Sequence, residues 1–240
     1  MTQIIMLAAG LGSRFTAAGY RQAKPMIPVH GVPMYEHVLA EYGLKTEDVN
    51  FIFSGEAVRH LPRGTSGLRF LSTCQTLRGP AHSALHALVK MPTIDLAAPV
   101  LFLDCDSFAK IDLLAYLRPA AESKATAAML TFLNEEPARH FSAVHTDGYF
   151  VTHIHERTIT APTPTYSGCG VYWFSSGYAA AEAASHLLRK SIAKEIYMSD
   201  LLNHLIVTNN LVLNVPVPRD SFHCLGTPEE LEAYLKTDHV

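Results

Sequence analysis

Small residues and basic side chains cluster near the start of the chain, at a spacing that could hold the phosphates of a nucleotide. Residues 4–8 form an apolar run without alternation, which is typical of a parallel strand buried on both faces. The run leads into Ala9, Gly10 and Gly12, whose backbone can approach a ligand closely and direct several N–H groups at it. We expect a phosphate-binding loop at the end of the first strand.

Two basic residues follow this loop and have the chemistry needed to neutralise phosphate. Arg14 offers a planar guanidinium that can hold two phosphate oxygens at once, and Lys24 adds a compact ammonium charge. We expect Lys24 to be extended, because the residue before a proline, here Pro25, is disfavoured in the α region. Arg14 and Lys24 are therefore candidate catalytic residues. The candidate nucleotide contacts in the loop are Leu7, Ala8, Ala9, Gly10, Gly12 and Ser13.

The loop and its basic residues match neither of two common phosphate-binding motifs. A Walker loop would continue into Gly-Lys-Ser/Thr, and a dinucleotide-binding loop would carry a third glycine at a fixed spacing after Gly12. The stretch from Leu7 to Arg14, followed by Lys24-Pro25, instead resembles the signature of the sugar-phosphate nucleotidylyltransferase family, Leu-Ala-Ala-Gly-x-Gly-x-Arg, a short loop and Lys-Pro. The resemblance implies an α/β, Rossmann-like (GT-A-like) nucleotidyltransferase fold, with a mixed, mostly parallel sheet flanked by helices.

The elements that would position these residues alternate between strand and helix in the first half of the chain. We predict strands at residues 50–54, 68–72, 100–103 and 126–132, and helices at residues 34–42, 82–90 and 111–118. This order predicts a parallel sheet with right-handed crossovers, in which ligands lie beyond the carboxyl ends of the strands.

The second half contains more strands joined by turns. We predict strands at residues 142–144, 149–155, 170–174 and 211–217, and helices at residues 178–188, 199–207 and 228–235. The predicted N-caps of these helices are Ser176 or Ser175, then Ser199, then Thr227. We expect one nucleotidyltransferase domain over residues 1–240, with a nucleotide-binding lobe at about 1–135 and an acceptor-binding lobe at about 136–240.

Two carboxylates, Asp104 and Asp106, follow the apolar run 100–103, where they would be costly to bury without a cation. The family resemblance implies Mg²⁺ as a cofactor with Asp106 as a ligand, and Asp104 is a second candidate ligand. The family pattern Asp-x-Gly-Thr-Pro would add another ligand, but Cys224 occupies that place, and thiolate suits Mg²⁺ poorly. Either Asp220 or Asp104 takes this role, or the metal binds through Asp106, water and phosphates.

Further candidates come from the same resemblance. Gln75 and Gly79 precede a predicted helix and match residues that contact the base in the family, although an ordinary turn before a helix would look similar. The resemblance also implies a third catalytic cation, Arg157, beside the acceptor. The candidate acceptor contacts are Glu156, Gly168, Tyr172 and Lys194.

The 13 histidines include His153 and His155, which fall on one face of a predicted strand, near His140 and His145. They could form a zinc-binding pair, but no Asp, Glu or Cys completes such a site at an informative spacing. We therefore favour their interpretation as residues of the strand face or of the acceptor pocket.

Composition argues against several classes of partner. The 240 residues carry a net charge of −3 and no basic block, which does not favour nucleic acid. No apolar stretch approaches the roughly 18–20 residues of a membrane helix, and nothing resembles a secretory signal peptide. The 4 cysteines are scattered without a Cys-x-x-Cys pair, as is typical of reduced thiols. We expect a cytoplasmic protein, and the sequence leaves its oligomeric state open, including a homodimer.

The family resemblance implies an enzyme that joins an NTP to a phosphorylated small molecule and releases pyrophosphate, and we expect it to act in the synthesis of surface polysaccharide or capsule precursors. We expect a pyrimidine base, with CTP slightly favoured. Because Cys224 departs from the family pattern, the chain resembles a short branch whose acceptor need not be a hexose phosphate, such as cytidylyltransferases of the phosphocholine or phosphoglutamine type. Two alternatives stay open: a GT-A-type glycosyltransferase using Asp104-x-Asp106, and a nucleotide-binding regulatory protein without turnover.

Overall fold

The computed structural model describes residues 1–61, 67–74, 77–135, 141–156 and 165–237. The strands in these ranges are β1 (Gln3–Ala8), β2 (Pro28–Val29), β3 (Val32–Pro33), β4 (Val49–Ser54), β5 (Arg69–Thr73), β6 (Val100–Asp104), β7 (Ser107–Ala109), β8 (Ala127–Asn134), β9 (Ala143–Asp147), β10 (Phe150–His155), β11 (Thr165–Phe174), β12 (Val212–Val217) and β13 (Phe222–Cys224). The helices are α1 (Ser13–Ala17), α2 (Met34–Glu41), α3 (Gly55–Arg59), α4 (Pro80–Lys90), α5 (Leu113–Glu122), α6 (Gly177–Lys190), α7 (Met198–Val207) and α8 (Pro228–Thr237). Short 3₁₀ turns cover Lys24–Met26, Thr46–Asp48 and Arg219–Ser221.

Among the described residues, one sheet has 9 strands in the order β5-β4-β1-β6-β11-β8-β12-β10-β9. The first four strands in this order run parallel, which confirms the prediction from alternating strands and helices. β11 runs antiparallel to both β6 and β8, and so connects the parallel strands to those of the second half. Leu7 of β1 lies opposite Asp104 of β6, so the loop after β1 and the carboxylates after β6 open at the same sheet edge.

Both faces of the sheet are buried, each in its own hydrophobic core. Ile4 and Met6 of β1 pack in one core with Phe51, and Ile5 and Leu7 pack in the other. Because neighbouring side chains on a strand point to opposite faces, a strand between two cores must be apolar at every position. This explains why the run at residues 4–8 shows no alternation.

Several elements differ from their predicted bounds. α4 begins at Pro80 instead of residue 82, because Gly79 precedes it as N-cap and a proline fits the first helical turn. β11 begins at Thr165 instead of residue 170, since a register shift between Gly168 and Tyr172 lets it pair along β8 for most of its length. The structure also adds α3, a short helix after β4 for which no helix was predicted.

Two of the predicted helix caps are confirmed and one is wrong. Ser176 accepts a hydrogen bond from the N–H of Ala179 at 3.2 Å, and Thr227 likewise caps α8. Ser199 does not cap α7, which begins one residue earlier, at Met198. Instead, the side chain of Asp200 accepts from the N–H that precedes the helix, that of Tyr197, at 2.8 Å. No helix within the described ranges is both long and apolar enough to cross a bilayer.

Candidate active site

The loop after β1 passes close to Lys24 and requires a glycine to do so. Leu7 and Ala8 are buried, whereas Gly10, Ser13 and Arg14 are exposed at the sheet edge. Gly12 has a φ of 60°, in the left-handed region, and a Cβ at this position would lie 2.9 Å from the Cβ of Lys24. Since the side chain of Leu7 packs in a core, Leu7 can offer only its backbone to a ligand.

Lys24 is not extended, contrary to the expectation from Pro25. It begins the 3₁₀ turn Lys24–Met26, because the N–H of Ile27 donates to the carbonyl of Lys24 at 3.1 Å. The N–H of Met26 likewise donates to the carbonyl of Ala23 at 2.8 Å. These two backbone hydrogen bonds outweigh the preference of a residue before proline for an extended conformation. The Lys24 side chain then lies at the sheet edge that carries Asp106.

The Lys24 ammonium contacts the carboxylate of Asp106. The two side chains are only 18% and 21% exposed. Burial acts to lower the pKa of Lys24, but the charge of Asp106 opposes it and the resulting pKa lies above the usual value for lysine. Lys24 is therefore charged near neutral pH, and its charge lies against the carboxylate of Asp106.

Asp104, the last residue of β6, lies beside this pair. Its carboxylate packs against the backbone of Gly170, where a Cβ would lie 2.7 Å from Asp104 Oδ2. Burial, followed by the neighbouring charge of Asp106, raises the pKa of Asp104 to about 8. The environment of Asp104 thus favours its neutral form in the protein without ligands.

The segment around Cys224 also contacts Asp106. The N–H of Leu225 donates to the carbonyl of Asp106 at 2.7 Å. The thiol of Cys224 donates to Glu230 Oε2 at 3.4 Å. Asp220, considered above as a replacement ligand, is exposed in the 3₁₀ turn that precedes β13, at the opposite end of that strand from Cys224.

Gly79 belongs to a loop that is fixed by the segment 191–197. Gly79 has a φ of 83°, and a Cβ there would lie 2.6 Å from the carbonyl oxygen of Ile196. The preceding residue, Arg78, donates from its guanidinium to the carbonyl oxygens of Leu188, Ser191 and Ala193 at 3.1, 2.8 and 2.6 Å. Gln75, the predicted base contact, lies outside the described residues.

Of the predicted acceptor residues, Glu156 directly follows β10, Gly168 and Tyr172 lie on β11, and Lys194 lies in the segment 191–197. Glu156 accepts a hydrogen bond from the hydroxyl of Ser199 at 2.5 Å. Burial, followed by the charges of Asp104 and Glu156, raises the pKa of Tyr172, so this tyrosine faces the carboxylates of the site. Gly168 lies nearer the start of β11 than Tyr172 does, and Lys194 is exposed. Arg157 lies outside the described residues.

The structure thus brings together the Gly12 loop, Lys24, Asp104, Asp106 and Tyr172, which the sequence had placed on separate elements. It also adds Glu230 and Arg78, which the sequence reasoning missed. The signal for Glu230 was available, since a site that lacks a carboxylate at Cys224 calls for another one nearby. Nothing in the sequence around Arg78 indicates the carbonyl groups that it contacts.

Within the described ranges, no three or more His, Cys, Asp or Glu residues form a group suited to hold a metal by themselves. The rings of His153 and His155 lie 4.2 Å apart between centroids, and His145 lies 5.2 Å from His155. His140 lies outside the described residues. Any divalent cation at Asp106 would therefore take part of its coordination from water or from a ligand such as a phosphate.

Known proteins share this architecture. The chain is 25% identical over 211 residues to the bifunctional protein GlmU of Listeria monocytogenes serotype 4a (strain HCC23), in an alignment covering 87% of this chain and 45% of GlmU. The chain thus spans about half the length of the curated relatives it matches.

Solved structures agree with this fold. A nucleoside-diphosphate-sugar pyrophosphorylase from Vibrio cholerae RC9 superposes with a TM-score of 0.77 at 20% identity, covering 97% of this chain and 99% of that one. The inositol-1-phosphate CTP transferase from T. maritima gives 0.72 at 14% identity, covering 100% and 98%. Residues 4–198 match the MobA-like NTP transferase domain, and the chain belongs to that family.

Proposed function

We propose that the protein is a nucleotidyltransferase, which joins the nucleotidyl group of an NTP to a phosphorylated small molecule and releases pyrophosphate. The observation that supports this most is the contact between Lys24 and Asp106 beside Gly12. It combines a partly buried cation, a carboxylate suited to a hard metal ion and a glycine loop suited to phosphate. Membership of the NTP transferase family supports the same class of reaction.

The reaction needs no protein nucleophile, because the acceptor phosphate supplies one. Its oxygen attacks the α-phosphorus in line, and a new P–O bond forms. The bond from the α-phosphorus to the bridging oxygen breaks, and its electron pair leaves with pyrophosphate. The protein then has two tasks, which are to hold both reactants in line and to stabilise the charge that develops on the leaving group.

Lys24 and Arg14 are the described residues that we propose for this stabilisation. Lys24 is held in place by its 3₁₀ turn, and the backbone of Gly12 lies against it. Arg14 projects from the exposed start of α1, where its guanidinium can reach phosphate oxygens. Arg157 remains the proposed third cation, on the acceptor side.

Asp106 fits a divalent cation. Its carboxylate is a hard oxygen donor of the kind that Mg²⁺ prefers. It lies 3.1 Å from the point that a Cβ on Gly226 would occupy, so the glycine leaves space beside the carboxylate. When bound, the cation would supply positive charge to the phosphates of the NTP. In the protein by itself, Lys24 balances this carboxylate.

We propose that the base is a pyrimidine, with CTP slightly ahead of UTP and dTTP. This proposal rests on the small size of the residues in the loop Ala8-Ala9-Gly10, which we expect to suit a pyrimidine, and on the T. maritima structure of similar fold, which is named as a CTP transferase. Cytosine and uracil differ at their exocyclic group, and the amide of Gln75 could serve either one by flipping. This is why the preference for CTP is small.

We propose that the acceptor is a phosphorylated alcohol, amine or amino acid derivative used in surface polysaccharide or capsule synthesis. The argument rests on Cys224, which stands where the family carries a carboxylate, and on the aromatic residues of β11, including Tyr172. Glu156, Gly168 and Lys194 are the other residues that we propose as acceptor contacts.

The decisive experiment measures pyrophosphate release by the purified chain with Mg²⁺, each of five common NTPs and a panel of acceptors. The panel contains hexose 1-phosphates, inositol 1-phosphate, phosphocholine and phosphorylated amino acid derivatives. We expect release only when an NTP and a phosphorylated acceptor are both present, and loss of it in Asp106→Asn. Turnover restricted to glucose 1-phosphate would contradict the proposed acceptor, and NTP binding without any turnover would favour a regulatory protein.

Calorimetric titration with the same five triphosphates tests the base separately. We expect CTP to bind most tightly, closely followed by UTP and dTTP. Tightest binding of ATP or GTP would overturn the pyrimidine assignment without affecting the proposed reaction. Hydrolysis or transfer of sugar from nucleotide sugars, with no pyrophosphate release, would identify a glycosyltransferase instead.

A further inference from the structure

Three side chains converge on the backbone of Gly226. A Cβ added at this glycine would lie 3.1 Å from Asp106 Oδ2, 3.2 Å from Cys224 Sγ and 3.5 Å from Glu230 Oε2. The carboxylates of Asp106 and Glu230 therefore border the same small space, although they come from opposite halves of the chain. Glycine is the residue that leaves this space unfilled.

Cys224 lies between the two carboxylates and cannot supply a hard negative charge. Its thiol donates a hydrogen bond to Glu230, so it carries its proton in this arrangement. A neutral thiol, or a soft thiolate, is a poor ligand for Mg²⁺.

Glu230 is held in this position by the first turn of α8. Its N–H donates to the hydroxyl of Thr227 at 3.2 Å, and the N–H of Leu231 donates to the carbonyl of Thr227 at 3.0 Å. Leu231 and Tyr234 are buried on the inner face of the helix and anchor it in the core. Glu230 is half-buried, whereas its neighbour Glu229 is exposed.

We propose that Glu230 supplies the second protein carboxylate to the divalent cation, in the role that the resembling family assigns to an Asp at the position of Cys224. This inference rests on the proposed function. Mg²⁺ is commonly held by one or two carboxylates together with water and phosphates, and Asp106 with Glu230 is such a set. The second carboxylate would thus come from the first turn of α8 instead of from β13.

Binding of Mn²⁺ alone to the purified full chain tests this proposal, because Mn²⁺ accepts the same oxygen ligands and its free form is counted by electron paramagnetic resonance. Glu230→Gln should raise the Kd for Mn²⁺ by at least about tenfold, the loss that follows removal of even an indirect metal contact. The matched control is Glu229→Gln, which removes the same charge one residue away and should bind as the wild type does. Equal effects of the two variants would overturn the proposal, as would a wild type that binds no Mn²⁺.

A double-mutant cycle with Cys224→Asp separates a ligand from a purely structural residue. In the Glu230→Gln background, Cys224→Asp should restore Mn²⁺ binding, because it returns a carboxylate to the same space. In the wild-type background it adds a further carboxylate, so it should bind Mn²⁺ at least as tightly as the wild type does, and this single variant remains informative if Glu230→Gln does not fold. No rescue in the first background, or weaker binding in the second, would contradict the proposed cation site.

These measurements need no turnover, so they distinguish the inference from the proposed function. Loss of Mn²⁺ binding in Glu230→Gln, in a protein that transfers no nucleotide, would support the metal site and refute the reaction. Normal Mn²⁺ binding in Glu230→Gln, in a protein that does release pyrophosphate, would refute the role of Glu230 and support the reaction.

Discussion

Lys24 and Asp106 are the two residues whose pairing most affects the site. Both are partly buried, and removing one partner leaves the charge of the other uncompensated. In the proposed reaction Lys24 faces the phosphates of the NTP, and Arg14 adds a second charge from the exposed side. The pair therefore has a structural role in the protein by itself, and we propose a catalytic role for it when substrate is bound.

We predict that Lys24→Ala and Arg14→Ala each lower kcat by at least about a hundredfold, because each removes a charge that stabilises the departing pyrophosphate. The measurement is pyrophosphate release at saturating substrates. Arg21→Ala is the matched control, since Arg21 lies exposed in the same loop between α1 and Lys24, and it should keep normal activity. A near-normal kcat in both substituted enzymes would refute the triphosphate assignment.

Gly12 gives a prediction about stability. Gly12→Ala should lower the free energy of unfolding by about 1–2 kcal/mol, because the left-handed conformation disfavours a Cβ and the new methyl group would press on Lys24. Gly10→Ala is the comparison, since a Cβ there would meet no atom within 4 Å. Urea unfolding measures both variants. Equal stability of the two would show that the close approach of the loop to Lys24 is not constrained as described.

At the scale of elements, the loop before α4 and the segment 191–197 behave as one unit. The Arg78 guanidinium donates to three carbonyl oxygens at and just after the end of α6. In the backbone, the N–H of Ile196 donates to the carbonyl of Arg78 at 3.0 Å, and the N–H of Ala81 donates to the carbonyl of Ile196 at 3.1 Å. The predicted base-binding loop is therefore fixed to the segment that carries Lys194, a proposed acceptor contact. We propose Arg78 as a positioning residue, since its guanidinium is bound to carbonyl groups that join the two segments.

We predict that Arg78→Ala loosens this unit. Hydrogen bonds from a charged group are worth about 1.5–3 kcal/mol, so amide hydrogen exchange across residues 191–197 should accelerate by about tenfold or more. Arg78→Lys should not rescue it, because one ammonium cannot reach carbonyl groups arranged for a planar guanidinium. Arg189→Ala, at an exposed position on α6, should leave exchange unchanged. Unchanged exchange in Arg78→Ala would contradict the positioning role.

At the scale of the whole molecule, β11 joins the two halves of the sheet. It pairs with β6, which carries Asp104, and with β8, which leads into the second half. Trp173 lies on β11, is 3% exposed and packs in the core that contains Ile4 and Leu225. A strand shared in this way couples the folding of the nucleotide-binding and acceptor-binding lobes that we propose.

We predict that the two lobes unfold together. Trp173 is the one tryptophan in the chain, so its fluorescence reports on β11. Far-ultraviolet circular dichroism reports on all the helices and strands. The two signals should follow the same urea transition with the same midpoint, as expected for one cooperative unit. Transitions that separate by probe would show that the lobes are independent domains.

The amino-acid sequence by itself determined the central parts of the fold. β1 was predicted correctly because a strand between two cores must be apolar throughout, and the parallel sheet followed from the alternation of strands with helices. The family was also identified correctly from the Gly-x-Gly-x-Arg and Lys-Pro pattern. Such features depend on residues close together in the chain, so their physical causes are visible in the sequence.

Only the tertiary structure decided which distant residues meet at the site. Lys24 meets Asp106 across 82 positions of sequence, and it does so from a 3₁₀ turn that the local preference before Pro25 argues against. Glu230 reaches the same space because the core contacts of α8 and the hydrogen bond of Leu225 to Asp106 bring the last helix to the sheet edge. These contacts join segments that are distant in sequence, and the packing that sets their positions has no local signature.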